Sequence, residues 1–300
     1  LREYDSARVY YQRVPEEFPQ SPLVTDALTG LQYTYEAEGR PSAAVAQIDA
    51  LLNSSQQGIS QEELLLKKGD ILFGQGEFGE AVIEYNKLLS LNPDRPAQGK
   101  AYLQLARAYE MENNIPRAIE YYEKIMNDYF DLDFAPNAGL ALGVARIKTK
   151  KYREAIKVFD EFERKFPNSV LLSEVMYNNG VAWVNLKDNN NAISKFRSVI
   201  GKFQDDIFAD RSRLQLARIL LSSKKYRASL DTLNSVINRR SDDLAAEALL
   251  IAGENYLSLK KPADALQVFR DVYEQYTEFP ILVERAHLGA GECYERLKNI

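Results

Sequence analysis

Large apolar residues return along this chain at a fixed interval. Tyr11, Ile48, Tyr85, Tyr122, Phe159, Phe196, Leu233 and Phe269 form one series, and Val14, Leu51, Leu88, Ile125, Phe162, Val199, Val236 and Val272 form a second. Ahead of each pair stands a small residue: Ala7, Ala44, Ala81, Ala118, Ala155, Ala192, Ser229 and Ala265. The steps between these small residues are 37 positions, except the last, which is 36. Within a copy the three positions lie at offsets 0, +4 and +7, which share one face of a helix. A small residue on that face lets a second helix approach closely. A further small position precedes each anchor by 12: Gly69, Ala106, Gly143, Gly180, Ala217 and Gly253, with Gly291 in the last copy. Apolar residues such as Leu66, Leu72 and Phe73 surround it at helical spacing. Glycine inside a helix costs about 1 kcal/mol relative to alanine. Its recurrence therefore predicts a neighbouring side chain fitted over the missing Cβ.

Each copy is thus predicted to be two helices joined by a tight turn. The breakers fall where the turns belong: Gly39-Arg40-Pro41, Gly76, Asn113-Asn114, Lys150-Lys151, Asp188-Asn189-Asn190-Asn191, Lys224-Lys225 and Lys260-Lys261-Pro262. Pro19, Pro93, Pro167 and Pro280 mark the ends of second helices. Acidic pairs such as Asp205-Asp206 and Asp242-Asp243 suit the start of the next helix, where free N–H groups favour negative charge. A repeat of roughly 20–50 residues means a solenoid, a propeller or an array, and the helical pattern selects an all-α array of antiparallel hairpins. Seven full hairpins are expected in one array over residues 1–300. Residues 3–18 read as a second helix without its first, and 281–298 as a first helix without its second. Solenoids need polar caps for solubility, so the natural protein is expected to continue in both directions. Self-association through the uncapped ends follows as a further expectation.

Composition narrows the partners. The formal net charge is −5, with acids and bases interspersed, which argues against nucleic acid as the main partner. No apolar run reaches the roughly 18 residues of a membrane span. One cysteine, Cys293, excludes an internal disulfide framework and a multi-cysteine metal site.

Candidate chemistry is sparse. His287, the only histidine, is six residues from Cys293, so the two do not share a helix face and form no dyad. Asp188-Asn189-Asn190-Asn191 lacks the alternating ligands, central glycine and distant glutamate of a calcium loop. Gly74-Gln75-Gly76-Glu77-Phe78-Gly79 has neither the preceding strand nor the Lys-Ser/Thr of a phosphate loop. Asn53-Ser54-Ser55 matches a glycosylation sequon. No catalytic, cofactor-binding or metal-binding residue is therefore expected. Of the tyrosines, Tyr85, Tyr109, Tyr122, Tyr256 and Tyr294 sit at repeat positions and read as core. Tyr10, Tyr33, Tyr121, Tyr129 and Tyr177 sit off them, as packing between helices or as peptide anchors.

The residues Gly143…Tyr152-Arg-Glu-Ala155…Phe159…Pro167 and Ala106-Arg-Ala-Tyr109…Ala118…Tyr122 resemble the tetratricopeptide repeat (TPR). The resemblance covers essentially the whole chain and implies a right-handed superhelical solenoid that binds proteins or peptides. Gln32 at a small position, Arg146 in place of an aromatic and Ser229 in place of alanine depart from the pattern. The period is also longer than the common 34-residue one. Phe18-Pro19-Gln20-Ser21 and Phe166-Pro167-Asn168-Ser169 resemble links in TPR lipoproteins and Tol–Pal-associated proteins of the bacterial cell envelope, which implies a periplasmic or outer-membrane-associated setting, with a cytoplasmic one as the alternative.

In that family the first helices line a concave face, at positions three before, one after and four after the small residue. The resemblance thereby implies a groove through Leu140, Val144 and Ile147, then Tyr177, Val181 and Val184, flanked by Leu103, Arg107 and Glu110 and by Leu214, Arg218 and Leu221. These residues are either an exposed apolar binding strip or are buried by winding of the array. The Lys and Asn that clamp a C-terminal carboxylate in chaperone-binding members are absent from these positions. The expected function is a non-enzymatic scaffold that assembles a larger complex. A structural spacer and the recognition part of a larger enzyme or regulator are the alternatives.

Overall fold

The computed structural model describes residues 2–53 and 60–298. The sequon at Asn53 runs into Ser54 and Ser55, which lie outside the described residues. Among the described residues there are sixteen helices in consecutive pairs and no strand, the all-α array of antiparallel hairpins that the repeat predicts. Two compact units divide the chain, residues 1–149 and 150–300. The first holds α1 (Arg2–Glu17), α2 (Val24–Ala37), α3 (Pro41–Asn53), α4 (Gln61–Gly74), α5 (Phe78–Ser90), α6 (Arg95–Met111), α7 (Ile115–Asp128) and α8 (Ala135–Lys148). The second holds α9 (Tyr152–Lys165), α10 (Leu172–Asn185), α11 (Asn189–Lys202), α12 (Ile207–Ser222), α13 (Tyr226–Arg239), α14 (Asp243–Ser258), α15 (Pro262–Gln275) and α16 (Pro280–Lys298).

The repeated glycines sit where the anticipated aromatic covers them. A Cβ built on Gly69 would lie 2.4 Å from Tyr85, one on Gly180 2.5 Å from Phe196, and one on Gly253 2.4 Å from Phe269. Each glycine is thus the socket for the large residue of its partner helix, and Tyr85 and Phe196 are fully buried there. Ala106 and Ala217 fill the same position and are themselves buried. Gln32 has a side chain there, and the residue at the covering position of α3 is Ile48. The α2–α3 pair accordingly packs less closely than α4–α5 or α10–α11.

Each hairpin turn contains one residue in the left-handed region: Gly39 (φ 70°), Gly76 (82°), Asn113 (60°), Lys150 (60°), Lys187 (61°), Lys224 (59°) and Lys260 (59°). In every one of these turns but that of Lys150, the next residue donates its N–H back into the first helix. Asn114 reaches the Tyr109 carbonyl at 2.8 Å, Asp188 that of Trp183 at 3.1 Å, and Lys225 that of Leu220 at 2.8 Å. These bonds close Schellman turns and satisfy carbonyls that the helix end would leave open. Glycine and asparagine enter the left-handed region readily, whereas a lysine Cβ crowds the following carbonyl at a cost of ~1–2 kcal/mol.

The one 36-residue step has a location. The α11–α12 link is Phe203–Asp206, whereas the α13–α14 link is Arg240–Asp242, one residue shorter. Tyr129, Phe166, Phe203 and Tyr276 follow their second helices with ψ between 21° and 54°, but Arg240 in the same place is extended, with ψ 155°. Its guanidinium joins Asp242 and the buried Asp210. Asp210 also accepts from Arg213 at 2.8 Å and Arg239 at 2.6 Å. An ionic knot thus stands where other copies use an aromatic ring.

Two sequence expectations are corrected. Gly291 is exposed, and a Cβ there would meet nothing within 4 Å. Ala290 is the buried residue, one 37-residue step after Gly253. Tyr294 is 52% exposed rather than core. Of the two readings left open for the groove positions, Leu214 takes the buried one as against lining the groove: it is 1% exposed and belongs to the core with Ala217 and Leu233.

Candidate functional site

Within each unit, first helices lie beside one another: α2 with α4 and α4 with α6 in the first, and α10, α12, α14 and α16 in succession in the second. Their shared face holds the residues expected to contact a partner.

In the first unit a cavity of about 340 Å³ opens on this face. Leu103, Arg107 and Glu110 of α6, Asn137 and Ala141 of α8, and Tyr122 of α7 line it. The polar groups are held in place. The Arg107 guanidinium lies 5.3 Å from the centre of the Phe73 ring and donates to Gln104 at 3.1 Å. Glu110 accepts the Tyr122 hydroxyl at 3.0 Å and pairs with Lys148. Burial, reinforced by the Glu110 charge, pushes the Tyr122 hydroxyl well above its ordinary pKa, so it remains a donor. Leu140, Val144 and Ile147 on α8 are half-buried.

In the second unit Tyr177, Val181 and Val184 of α10 are also half-buried. The Tyr177 ring lies 5.9 Å from Phe196 and 5.7 Å from Phe208 between ring centres. Val181 and Val184 pack, with Trp183 and Ile193, against Ala192, Phe196 and Ile219. Leu221 of α12 packs against the next core cluster. Arg218 bridges to Glu247 of α14, and Arg285 of α16 lies 3.4 Å from Glu254. The face therefore presents partly exposed aliphatic side chains between ion pairs that cross from one first helix to the next.

Asn137, Ala141 and Tyr122 were absent from the sequence expectation. Asn137 and Ala141 stand six and two residues before Gly143, so the same helix face extended one turn towards the N-terminus includes them. Tyr122 reads as core and is core, 1% exposed, yet its edge floors the cavity.

Neither the cysteine nor the histidine stands in a reactive setting. Cys293 is fully buried and burial pushes its thiol up, away from the reactive thiolate. His287 stacks on Tyr273, with ring centres 4.4 Å apart. Among the described residues no group of three His, Cys, Asp or Glu side chains is placed to hold a metal ion, and no helix is long and apolar enough to cross a membrane.

Comparison with known proteins identifies the repeat. Family models described as tetratricopeptide repeat match residues 60–129 and 137–169, and one described as tetratricopeptide repeat-like domain matches 157–279. A TPR repeat-containing protein of Methanocaldococcus jannaschii is 27% identical over 179 residues, 57% of this chain and 30% of that protein. The match thus spans less than a third of that relative's length. The crystal structure of a tetratricopeptide repeat protein from Parabacteroides merdae is similar with a TM-score of 0.55 and 16% identity, covering 88% of this chain and 98% of that one. The C-terminal part of a TPR repeat-containing protein from Cytophaga hutchinsonii gives 0.53 at 14% identity and covers 94% of each chain. At these identities the two structures speak for the fold alone.

Proposed function

The chain is a tetratricopeptide-repeat protein, and from that premise we propose that it is a non-enzymatic scaffold that holds a peptide segment of a partner protein along the face of its first helices. The observation that carries this reading is the cavity of about 340 Å³ lined by Leu103, Arg107 and Glu110, three positions at which the family pattern lets a partner touch the array. An apolar wall, a fixed guanidinium and a fixed carboxylate give a peptide both burial and direction. The half-buried Tyr177, Val181 and Val184 offer the same chemistry in the second unit. A partly exposed aliphatic strip bounded by charge supports an interaction surface. The role proposed is assembly of a larger complex. Its placement in a bacterial cell envelope is supported by the Phe-Pro-x-Ser links alone.

The test is selection of peptides from a random display library on the 300-residue chain. Selected peptides are expected to lose about tenfold or more in affinity to Val181→Glu or Arg107→Glu, with helical content and melting unchanged. Unaltered binding in both variants would reject the face. Unfolding of Val181→Glu would assign that residue to the core and leave Arg107→Glu to decide.

A further inference from the structure

The hairpin turns of the second unit carry a feature that the first-helix face does not use. Lys187, Lys224 and Lys260 all occupy the left-handed position of their turns. The corresponding turns of the first unit use Gly39, Gly76 and Asn113, residue types that adopt this conformation readily. Lysine is a poor choice there, and strain that persists at successive equivalent positions points to a role. The negative end of the preceding helix dipole favours a cation there, but no side-chain partner among the described residues holds it. Among the described residues Lys187, Lys224 and Lys260 are exposed and form no ion pair, and the same holds for Lys225, Arg197 and Arg227. Lys261 meets only an exposed carboxylate of its own helix, Asp264, at 3.4 Å.

Two cavities open beside these turns. One, of about 430 Å³, sets Asn190, Ser194, Arg197 and Lys225 around the aliphatic Ile193 and Leu220. The other, of about 390 Å³, sets Lys224 and Arg227 beside Tyr226 and Leu259. Each combines unpaired cations with an apolar wall.

We propose that this edge of the second unit is a second binding surface, separate from the first-helix face, and that its occupant is an acidic peptide segment of a partner protein in which carboxylate and aliphatic side chains are interspersed. The carboxylates meet the turn lysines and Arg197, and the aliphatic groups meet Ile193, Leu220 and Leu259. A nucleic acid would ask for an excess of clustered cations, whereas the chain carries a formal net charge of −5 with acids and bases interspersed. A lipid surface would ask for large exposed apolar residues, and none of the exposed large hydrophobics of this unit lies in a hairpin turn.

Fluorescence anisotropy with a labelled peptide alternating Glu and Leu tests the assignment. The wild-type chain is expected to bind it at low salt and to weaken as salt rises. Lys187→Gly/Lys224→Gly/Lys260→Gly is expected to bind about tenfold or more weakly while melting no lower than wild type, since glycine suits the turn. The corresponding triple arginine variant retains binding. Equal affinity in the triple glycine variant overturns the proposal. So does binding of phosphatidylglycerol vesicles or a single-stranded oligonucleotide without binding of the peptide.

Discussion

Ser229 shows how a departure from the repeat is explained by one neighbour. Its hydroxyl donates to the Ala217 carbonyl at 2.8 Å and accepts from Asn255 at 3.0 Å, all within the closed interior of the second unit. Asn255 has its other amide hydrogen on the Ile251 carbonyl at 2.8 Å. Restoring the common alanine therefore removes the hydroxyl but leaves a buried amide donor unmet. Ser229→Ala is expected to destabilise by about 1–2 kcal/mol, read from urea unfolding, and Asn255→Leu in that background to recover part of it. A neutral Ser229→Ala would mean that the Asn255 amide has another partner. In the sequence Ser229 is legible as an exception, but its cause is not, because Asn255 is 26 residues away and on another helix. The glycines were more readable. A glycine in a helix carries a local cost whatever the fold, so repetition alone reveals a socket. Where Gly289, Ala290 and Gly291 stand in a row, small size no longer discriminates, and only burial identifies Ala290.

At the scale of elements, the α13–α14 link replaces ring packing with charge. Asp210 is 2% exposed and faces Arg213, Arg239 and Arg240, which come from the start of α12, the end of α13 and the link itself. Removing the carboxylate leaves three guanidinium groups facing each other across the first turn of α12. Asp210→Ala is expected to cost about 3 kcal/mol and to raise amide exchange at the end of α13 and the start of α14. A smaller loss, below about 1 kcal/mol, would mark the knot as surface pairing. Asp242 adds a pH dependence. The Arg240 guanidinium holds its carboxyl below the usual range despite partial burial. A carboxyl depressed in the fold adds stability that is present above its ordinary pKa of about 3.9 and fades as pH falls below that value. The helices and the position of the shortened step are visible in the sequence. The exchange of a ring for an ionic knot is not, since Arg239, Arg240 and Asp210 read singly as surface charges.

Across the whole molecule, contacts run mainly between helices that follow one another or stand one apart. In such an array stability is close to a sum of local terms and nearest-neighbour terms. Damage should therefore stay near its origin instead of spreading evenly, as it does in a domain with one core. Phe196 is the sharpest probe: it is fully buried, covers Gly180 and packs with Ala192 and Ile219. Phe196→Ala removes the ring and leaves a cavity, a change that costs roughly 3–5 kcal/mol. Hydrogen exchange followed by mass spectrometry is expected to show protection lost in α9 to α12, with α4 to α7 holding near wild-type rates. Loss of protection by the same factor in every helix would show a single cooperative fold and would contradict the additive picture. Local response also serves a scaffold. If both proposed surfaces bind, occupancy of the first-helix face of one unit is expected to shift the order of its own hairpins and to leave the affinity of the turn edge of the second unit unchanged. Tight coupling between them would require the very cooperativity that the Phe196→Ala profile is designed to detect.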